Sequence, residues 1–214
     1  MKTDQLLDLL AADTRVVPPN AATRRLALAV LVGLPLSLAI VALDYGIRGD
    51  LAQVAQVPMF WVKLLFPLLL AVAAFVGTQR LARPGVKAGR PVALGVALPV
   101  LAVWVLALVA WWLAPAAERP ALLWGQTWRS CAFSIGLIAL PVLVSAMLAL
   151  KTLAPTRPAW AGAAAGALAG GAGAAVYALH CPELTAPFLA VWYVLGMALP
   201  TAVGAAIGVR WLRW

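Results

Sequence analysis

Val92-Ala-Leu-Gly-Val-Ala-Leu-Pro-Val-Leu-Ala-Val-Trp-Val-Leu-Ala-Leu-Val-Ala-Trp-Trp-Leu113 contains no charged residue and ends on paired tryptophans. A helix needs about 20 such residues to cross the roughly 30 Å hydrocarbon core of a bilayer, and this run is long enough. Runs of the same kind recur on either side, at about Leu26–Leu43, Phe60–Val76, Cys131–Leu150, Trp160–Leu179 and Phe188–Val209. Over 214 residues the chain is 64% hydrophobic and only 11% charged, too few charges to cover a water-soluble domain of this size. A lone segment satisfies its backbone within lipid only as a helix. The expected fold is therefore all-α: a polytopic membrane protein with six transmembrane helices over residues 26–214, preceded by a separate segment, residues 1–25. The first run is too long for a signal peptide and no small-residue cleavage site follows it, so it reads as a retained signal anchor.

The net charge of +9 would suggest a nucleic-acid partner in a soluble protein. Here its distribution fits the positive-inside rule instead, and no direct nucleic-acid contact is expected. With both termini inside, the inner segments hold Lys2, Arg15, Arg24, Arg25, Arg80, Arg83, Lys87, Arg90, Lys151, Arg157, Arg210 and Arg213, twelve of the sixteen basic residues. The outer segments hold Arg48, Lys63, Arg119 and Arg129, offset by Asp44, Asp50, Glu118 and Glu183. Both termini are thus expected in the cytoplasm. Trp61, Trp111, Trp112, Trp124 and Trp128 fall at the outer boundary, and Trp160, Trp211 and Trp214 at the inner one, as membrane-interface aromatics do.

Residues 1–25 have their own character. Leu6, Leu7, Leu9 and Leu10 share one face of a short helix, with Asp4 and Asp8 on the other, and Pro18-Pro19 ends it. A helix of about three turns is marginal alone in water, so the leucine face must meet something. Membrane lipids and the bundle itself are open alternatives, but lipid-surface helices carry Lys and Arg on the polar face rather than Asp, which favours a protein partner.

Within the spans, Gly162, Gly166 and Gly170 recur every fourth residue, with Gly173 just beyond, and Gly196, Gly204 and Gly208 lie in the last span around Pro200. Small residues at this spacing let helices approach closely, which predicts a tight pairing of spans five and six. The spans hold no acidic residue. Lys63, in the first turn of span two, can snorkel to the interface or pair with Asp44.

Ionisable residues near the midplane, a Walker A motif, a Cys-x-x-Cys pair and paired haem-ligating histidines are all missing. This weakens a small transporter or channel and a membrane thiol oxidoreductase, the two alternative readings, and implies no enzyme and no cofactor. What remains is a polar knot, His180-Cys181-Pro182-Glu183, and the second cysteine, Cys131. The topology puts both cysteines at the outer face, the oxidising periplasm of a bacterium. A structural disulfide and a sensing pair both fit. A sensing pair would be switched by oxidation or by a soft metal held by Cys131 and Cys181, with His180 and Glu183 as weaker candidate ligands.

Several stretches together resemble the NrsF family of six-helix inner-membrane anti-sigma factors. They are Met1-Lys-Thr-Asp-Gln-Leu-Leu-Asp-Leu-Leu10, Pro58-Met-Phe-Trp-Val-Lys63, Arg80-Leu-Ala-Arg-Pro-Gly85, Thr127-Trp-Arg-Ser-Cys131, Leu153-Ala-Pro-Thr-Arg157, Tyr177-Ala-Leu-His-Cys-Pro-Glu183 and Trp192-Tyr-Val-Leu-Gly-Met197. The resemblance implies a negative regulator that holds an extracytoplasmic-function sigma factor at the inner membrane and releases it under stress. By residue match it assigns the response to Cys131 and Cys181. It assigns sigma binding to the N-terminal segment, through Asp4, Leu6, Leu7, Asp8, Leu9 and Leu10. The inducer, the oligomeric state and any contact from the loops at 80–90 and 151–158 stay open.

Overall fold

The computed structural model describes Thr3, Gln5, Leu7, Asp8, Pro18 and residues 20–213. Thr3, Gln5, Leu7 and Asp8 are helical and exposed. Asp4, Leu6, Leu9 and Leu10 lie outside the described residues.

The fold is all-α and polytopic. Six helices are long and apolar enough to cross a membrane: Ala21–Tyr45, Pro58–Leu81, Arg90–Leu113, Arg119–Lys151, Pro158–Tyr177 and Ala186–Trp211, spans one to six. Span one ends in a π-helical turn, Val41–Tyr45, and span six is interrupted by one, Leu189–Tyr193. Span four is a short helix, Arg119–Trp124, followed by the long helix Trp128–Lys151. Pro58, Pro91, Pro120, Pro158 and Pro187 occupy the first turns of their helices, where the missing N–H has no intrahelical acceptor to lose. Span one opens about a turn before the expected Leu26, so Arg24 and Arg25 lie inside the helix, with their side chains still exposed.

Span five is the hub, and its glycines explain why. A Cβ on Gly162 or Gly166 would run into the carbonyl oxygens of Gly204 and Pro200 in span six. One on Gly170 would lie 2.8 Å from the Met197 oxygen. The expected pairing of spans five and six is therefore a backbone-to-backbone contact. Gly173 does not extend that seam: it meets Ala139 of span four, while Gly171 meets Pro67 and Ala71 of span two. Span one leans on span four, where Gly33 abuts Val142, Ser37 Oγ donates to the Ile138 carbonyl at 2.7 Å and Ser145 Oγ to that of Ala29 at 2.8 Å. Span three is peripheral, with Val103 and Ala107 its buried residues. Trp104 is half-exposed and donates Nε1–H to the Ala190 carbonyl at 3.1 Å.

The bundle has two polar ends. At one, Gln79 bonds Thr23, Arg25 donates to the Thr152 carbonyl at 2.8 Å, and Lys151 sits 4.6 Å from the Trp211 ring centre. Ala22 and Leu212 share the apolar core at this end, so the chain enters and leaves on the same side. The cysteines lie in the core at the other end.

Candidate functional site

Three loops converge at that second end. Residues 46–50 follow span one, residues 125–127 link the two helices of span four, and residues 178–185 join spans five and six. Cys131 stands in the first turn of the helix Trp128–Lys151 and Cys181 in the third loop. Both are free thiols and both are fully buried. Fifty positions apart in sequence, they meet in one buried core cluster, thiol facing thiol.

The Cys-Pro-Glu sequence explains how the loop is held. Pro182 has no N–H, so the next amide, that of Glu183, turns back to the Cys181 sulfur. The Glu183 carbonyl accepts from Lys63 Nζ at 2.8 Å. Its carboxylate Oε1 accepts the backbone N–H of Gln126 at 2.6 Å and of Thr127 at 3.1 Å. The Cys181 carbonyl accepts from Lys63 at 2.5 Å and from Arg48 Nη1 at 3.1 Å, and Arg48 is itself held by Asp50 at 2.6 Å.

Lys63 therefore neither snorkels nor pairs with Asp44. Its side chain is fully buried with two backbone carbonyls as acceptors, and its ammonium lies 5.6 Å from the Tyr193 ring centre, while Asp44 is exposed. The π turn Leu189–Tyr193 brings Tyr193 fully inside. Its hydroxyl has no oxygen or nitrogen partner and faces the Cys181 sulfur. Tyr177, nearly as buried, closes the other side through its contact with Tyr193 at 6.1 Å between ring centres.

The electrostatics of the two thiols differ. The hydrogen bond from Cys131 holds the Cys181 thiol below the ordinary thiol range. The Lys63 charge and the Glu183 N–H add to this and outweigh the desolvation that opposes them.

The four-donor metal set is not assembled. The His180 ring is engaged through Nδ1 with the Gly46 carbonyl at 2.9 Å and packs edge-on to Tyr45, and the Glu183 carboxylate is turned to span four. Among the described residues, no three His, Cys, Asp or Glu groups come together as metal donors. His180 is a loop clamp. The groups the sequence did not tie to the cysteines are Arg48, Tyr177, Tyr193 and the amides of Gln126 and Thr127, and Lys63 was given other partners. A lone lysine in an otherwise uncharged set of spans was the one signal that pointed to them.

This arrangement, two unequal thiols in contact inside a loop junction, sits in a chain whose residues 10–214 match the family model described as NrsF, negative regulator of sigma F. The chain belongs to the NrsF family. It is similar over the whole of both chains to the probable anti-sigma-F factor NrsF of Azospira oryzae, at 44% identity over 215 residues. It is similar in the same way to the anti-sigma-F factor NrsF of Caulobacter vibrioides, at 41% identity over 216 residues. No solved structure matches the chain. The NrsF match takes in all six spans and every residue of the thiol cluster.

Proposed function

We propose that this chain is a membrane-bound anti-sigma factor, a regulator rather than an enzyme. It sequesters an extracytoplasmic-function sigma factor at the bacterial inner membrane and releases it on a stress sensed by Cys131 and Cys181. Both termini face the cytoplasm and the cysteines face the periplasm. The sigma factor is held by the N-terminal segment, residues 1–25, through the helix bearing Asp4, Leu6, Leu7, Asp8, Leu9 and Leu10. The two relatives that match along their full length carry the anti-sigma part of this reading. One observation carries the sensing part: two free thiols touch at the end of the bundle opposite the termini.

The energetics are adequate. Forming a disulfide is typically worth about 2–4 kcal/mol in folding stability. A tenfold loss of affinity for the sigma factor needs only about 1.4 kcal/mol of differential stabilisation. Part of the first, coupled to the second through the packing of spans four to six, is enough.

The test is co-purification of the full chain with a sigma factor encoded beside it, alongside a reporter of that factor's target genes. Full-length protein should retain the sigma factor and keep the reporter low. Oxidant should release it from the wild type but not from Cys131→Ser or Cys181→Ser. Release that proceeds equally in both serine variants would make the thiol pair structural only.

A further inference from the structure

Lys63 is a charge the anti-sigma reading does not use. Its side chain is fully buried, and among the described residues no carboxylate pairs with it. Its two acceptors are the carbonyls of Cys181 and Glu183, the residues that flank Pro182. A buried ammonium held by neutral carbonyls and one ring face leaves most of its charge uncompensated. The group best placed to compensate it is a thiolate at Cys181, the residue whose carbonyl it holds at 2.5 Å.

Each element packed around Cys181 contributes to its surroundings. Span two supplies Lys63, span four Cys131, span five Tyr177 and span six the unpartnered Tyr193 hydroxyl; the first loop supplies Arg48. Of the two carboxylates nearby, Asp50 is held by Arg48 at 2.6 Å and Glu183 is turned away to Gln126 and Thr127. The sulfur of Cys181 thus meets a cation, an N–H, a thiol and a phenol, all of which favour negative charge on it. The Lys63 ammonium is bonded to the Cys181 backbone at 2.5 Å, on the Cys181 side of the pair.

We propose that Lys63 is a positioning residue that makes Cys181 the thiol attacked first by a hydroperoxide, with Cys131 as the resolving thiol. The proposal rests on the reading of these cysteines as a responsive pair. The Cys181 thiolate attacks the terminal oxygen of the hydroperoxide. An S–O bond forms, the O–O bond breaks, and the departing alkoxide or hydroxide takes a proton. The Cys131 sulfur then attacks the Cys181 sulfur, forming the S–S bond and expelling the hydroxyl group, which leaves as water with the Cys131 proton. Two thiols and one hydroperoxide give one disulfide, one alcohol or water, and one water. A fully buried pair admits only small reagents, which suits hydrogen peroxide as the probe.

The experiment uses the full chain in native membranes, with one cysteine at a time. After timed exposure to hydrogen peroxide and an acid quench, the surviving thiol is counted under denaturing conditions by the gel shift of a maleimide-polyethylene glycol adduct. Cys131→Ser, which keeps a hydroxyl donor beside Cys181, should lose its thiol at least about tenfold faster at pH 7 than Cys181→Ser. Adding Lys63→Met should remove that advantage and move the pH midpoint of the reaction up by about 1–3 pH units, the shift expected on removing a cation in contact. Lys63→Arg should restore the low midpoint. Lys63→Gln, which keeps a donor to the carbonyls without the charge, should behave as Lys63→Met does and serves if that variant fails to fold. Equal rates for the two single-cysteine chains, an unmoved midpoint in the neutral variants, or no rescue by Lys63→Arg each overturn the proposal. None of these readouts involves a sigma factor, so failure of the anti-sigma reading shows separately, in the release assay.

Discussion

Glu183 Oε1 accepts the backbone N–H of Gln126 at 2.6 Å, which fastens the loop just past Cys181 to the chain just before Cys131. The same oxygen takes the Thr127 N–H at 3.1 Å. The two cysteines are thereby indexed to each other by a carboxylate rather than by a covalent bond. Hydrogen bonds to a charged acceptor contribute about 1.5–3 kcal/mol, and the half-exposed position of Glu183 argues for the lower figure. Glu183→Ala should lower the thermal midpoint of the purified protein by several degrees and slow disulfide formation driven by hydrogen peroxide several-fold. Glu183→Gln, which keeps an acceptor oxygen, should do less. An unchanged oxidation rate in Glu183→Ala would refute the indexing role.

Gly125 is the other half of that latch. Its φ of +51° belongs to a conformation that residues with a side chain rarely adopt, and a Cβ there would lie 2.5 Å from Glu183 Oε2. Gly125→Ala should therefore reproduce the loss seen in Glu183→Ala. Because both changes break one contact, the double variant should be no worse than about 0.5 kcal/mol beyond the stronger single one. Additive losses measured by thermal unfolding would separate the two residues.

How far the sequence reaches can be seen residue by residue. Apolar run lengths were enough to place six spans, because length and charge decide that question without reference to packing. The spacing of Gly162, Gly166 and Gly170 was enough to pair spans five and six. It could not reveal that Gly171 and Gly173 serve spans two and four, since small residues all round a helix leave its partners undetermined. The partners of Lys63 were invisible for a different reason: they are backbone carbonyls, which no side-chain motif encodes. Glu183 looked like a candidate metal ligand beside His180 and Cys181, yet its partners are amides of the loop at 125–127, remote in sequence and adjacent in the fold.

The glycine seam is the most sensitive feature of the membrane part. At Gly166 an added Cβ meets the carbonyl of Pro200, which is backbone and cannot turn aside. Gly166→Val should cost at least the roughly 1–3 kcal/mol of an overpacked core and separate spans five and six. Gly136→Ala is the control, since a Cβ there meets only the end of Leu199 at 3.8 Å. The amount of folded, membrane-extracted protein in a monodisperse peak should fall sharply for the first and stay at the wild-type level for the second.

Strong acid should release the first loop. The hydrogen bond from Arg48 holds the Asp50 carboxyl below the ordinary carboxylate range, against slight desolvation. A carboxylate with a depressed folded value contributes stability above its unfolded value and loses it as the pH falls through the folded one. The Arg48–Asp50 contact thus persists through the pH range in which a free aspartate protonates and disappears only in stronger acid. Arg48 would then keep the Cys181 carbonyl as its partner without the carboxylate that orients it. Thermal midpoints of wild type and Asp50→Asn should differ at neutral pH and converge at low pH. A constant difference down to strong acid would show that Asp50 acts through something other than its charge.

The N-terminal segment supplies the last prediction. Leu7 is helical and 58% exposed, on a segment that carries both leucines and aspartates. An exposed leucine in a short helix gains free energy only when something covers it, and burying a leucine side chain is worth about 1.5–3 kcal/mol. If the sigma factor provides that cover, Leu7→Asp removes the gain and introduces a charge into the contact, so its affinity should drop by at least about tenfold to a hundredfold. The same change should leave the thiol chemistry of Cys131 and Cys181 untouched, since the chain enters the bundle, at Ala22, at the end away from the cysteines. Asp8→Ala should weaken binding less, because an exposed charge contributes at most about 1 kcal/mol. The measurement is sigma-factor retention on the immobilised full-length chain, with the oxidation rate of the cysteine pair followed in the same sample. Retention of wild-type strength in Leu7→Asp, and in a chain lacking residues 2–17, would move the contact to the basic loop at 80–90.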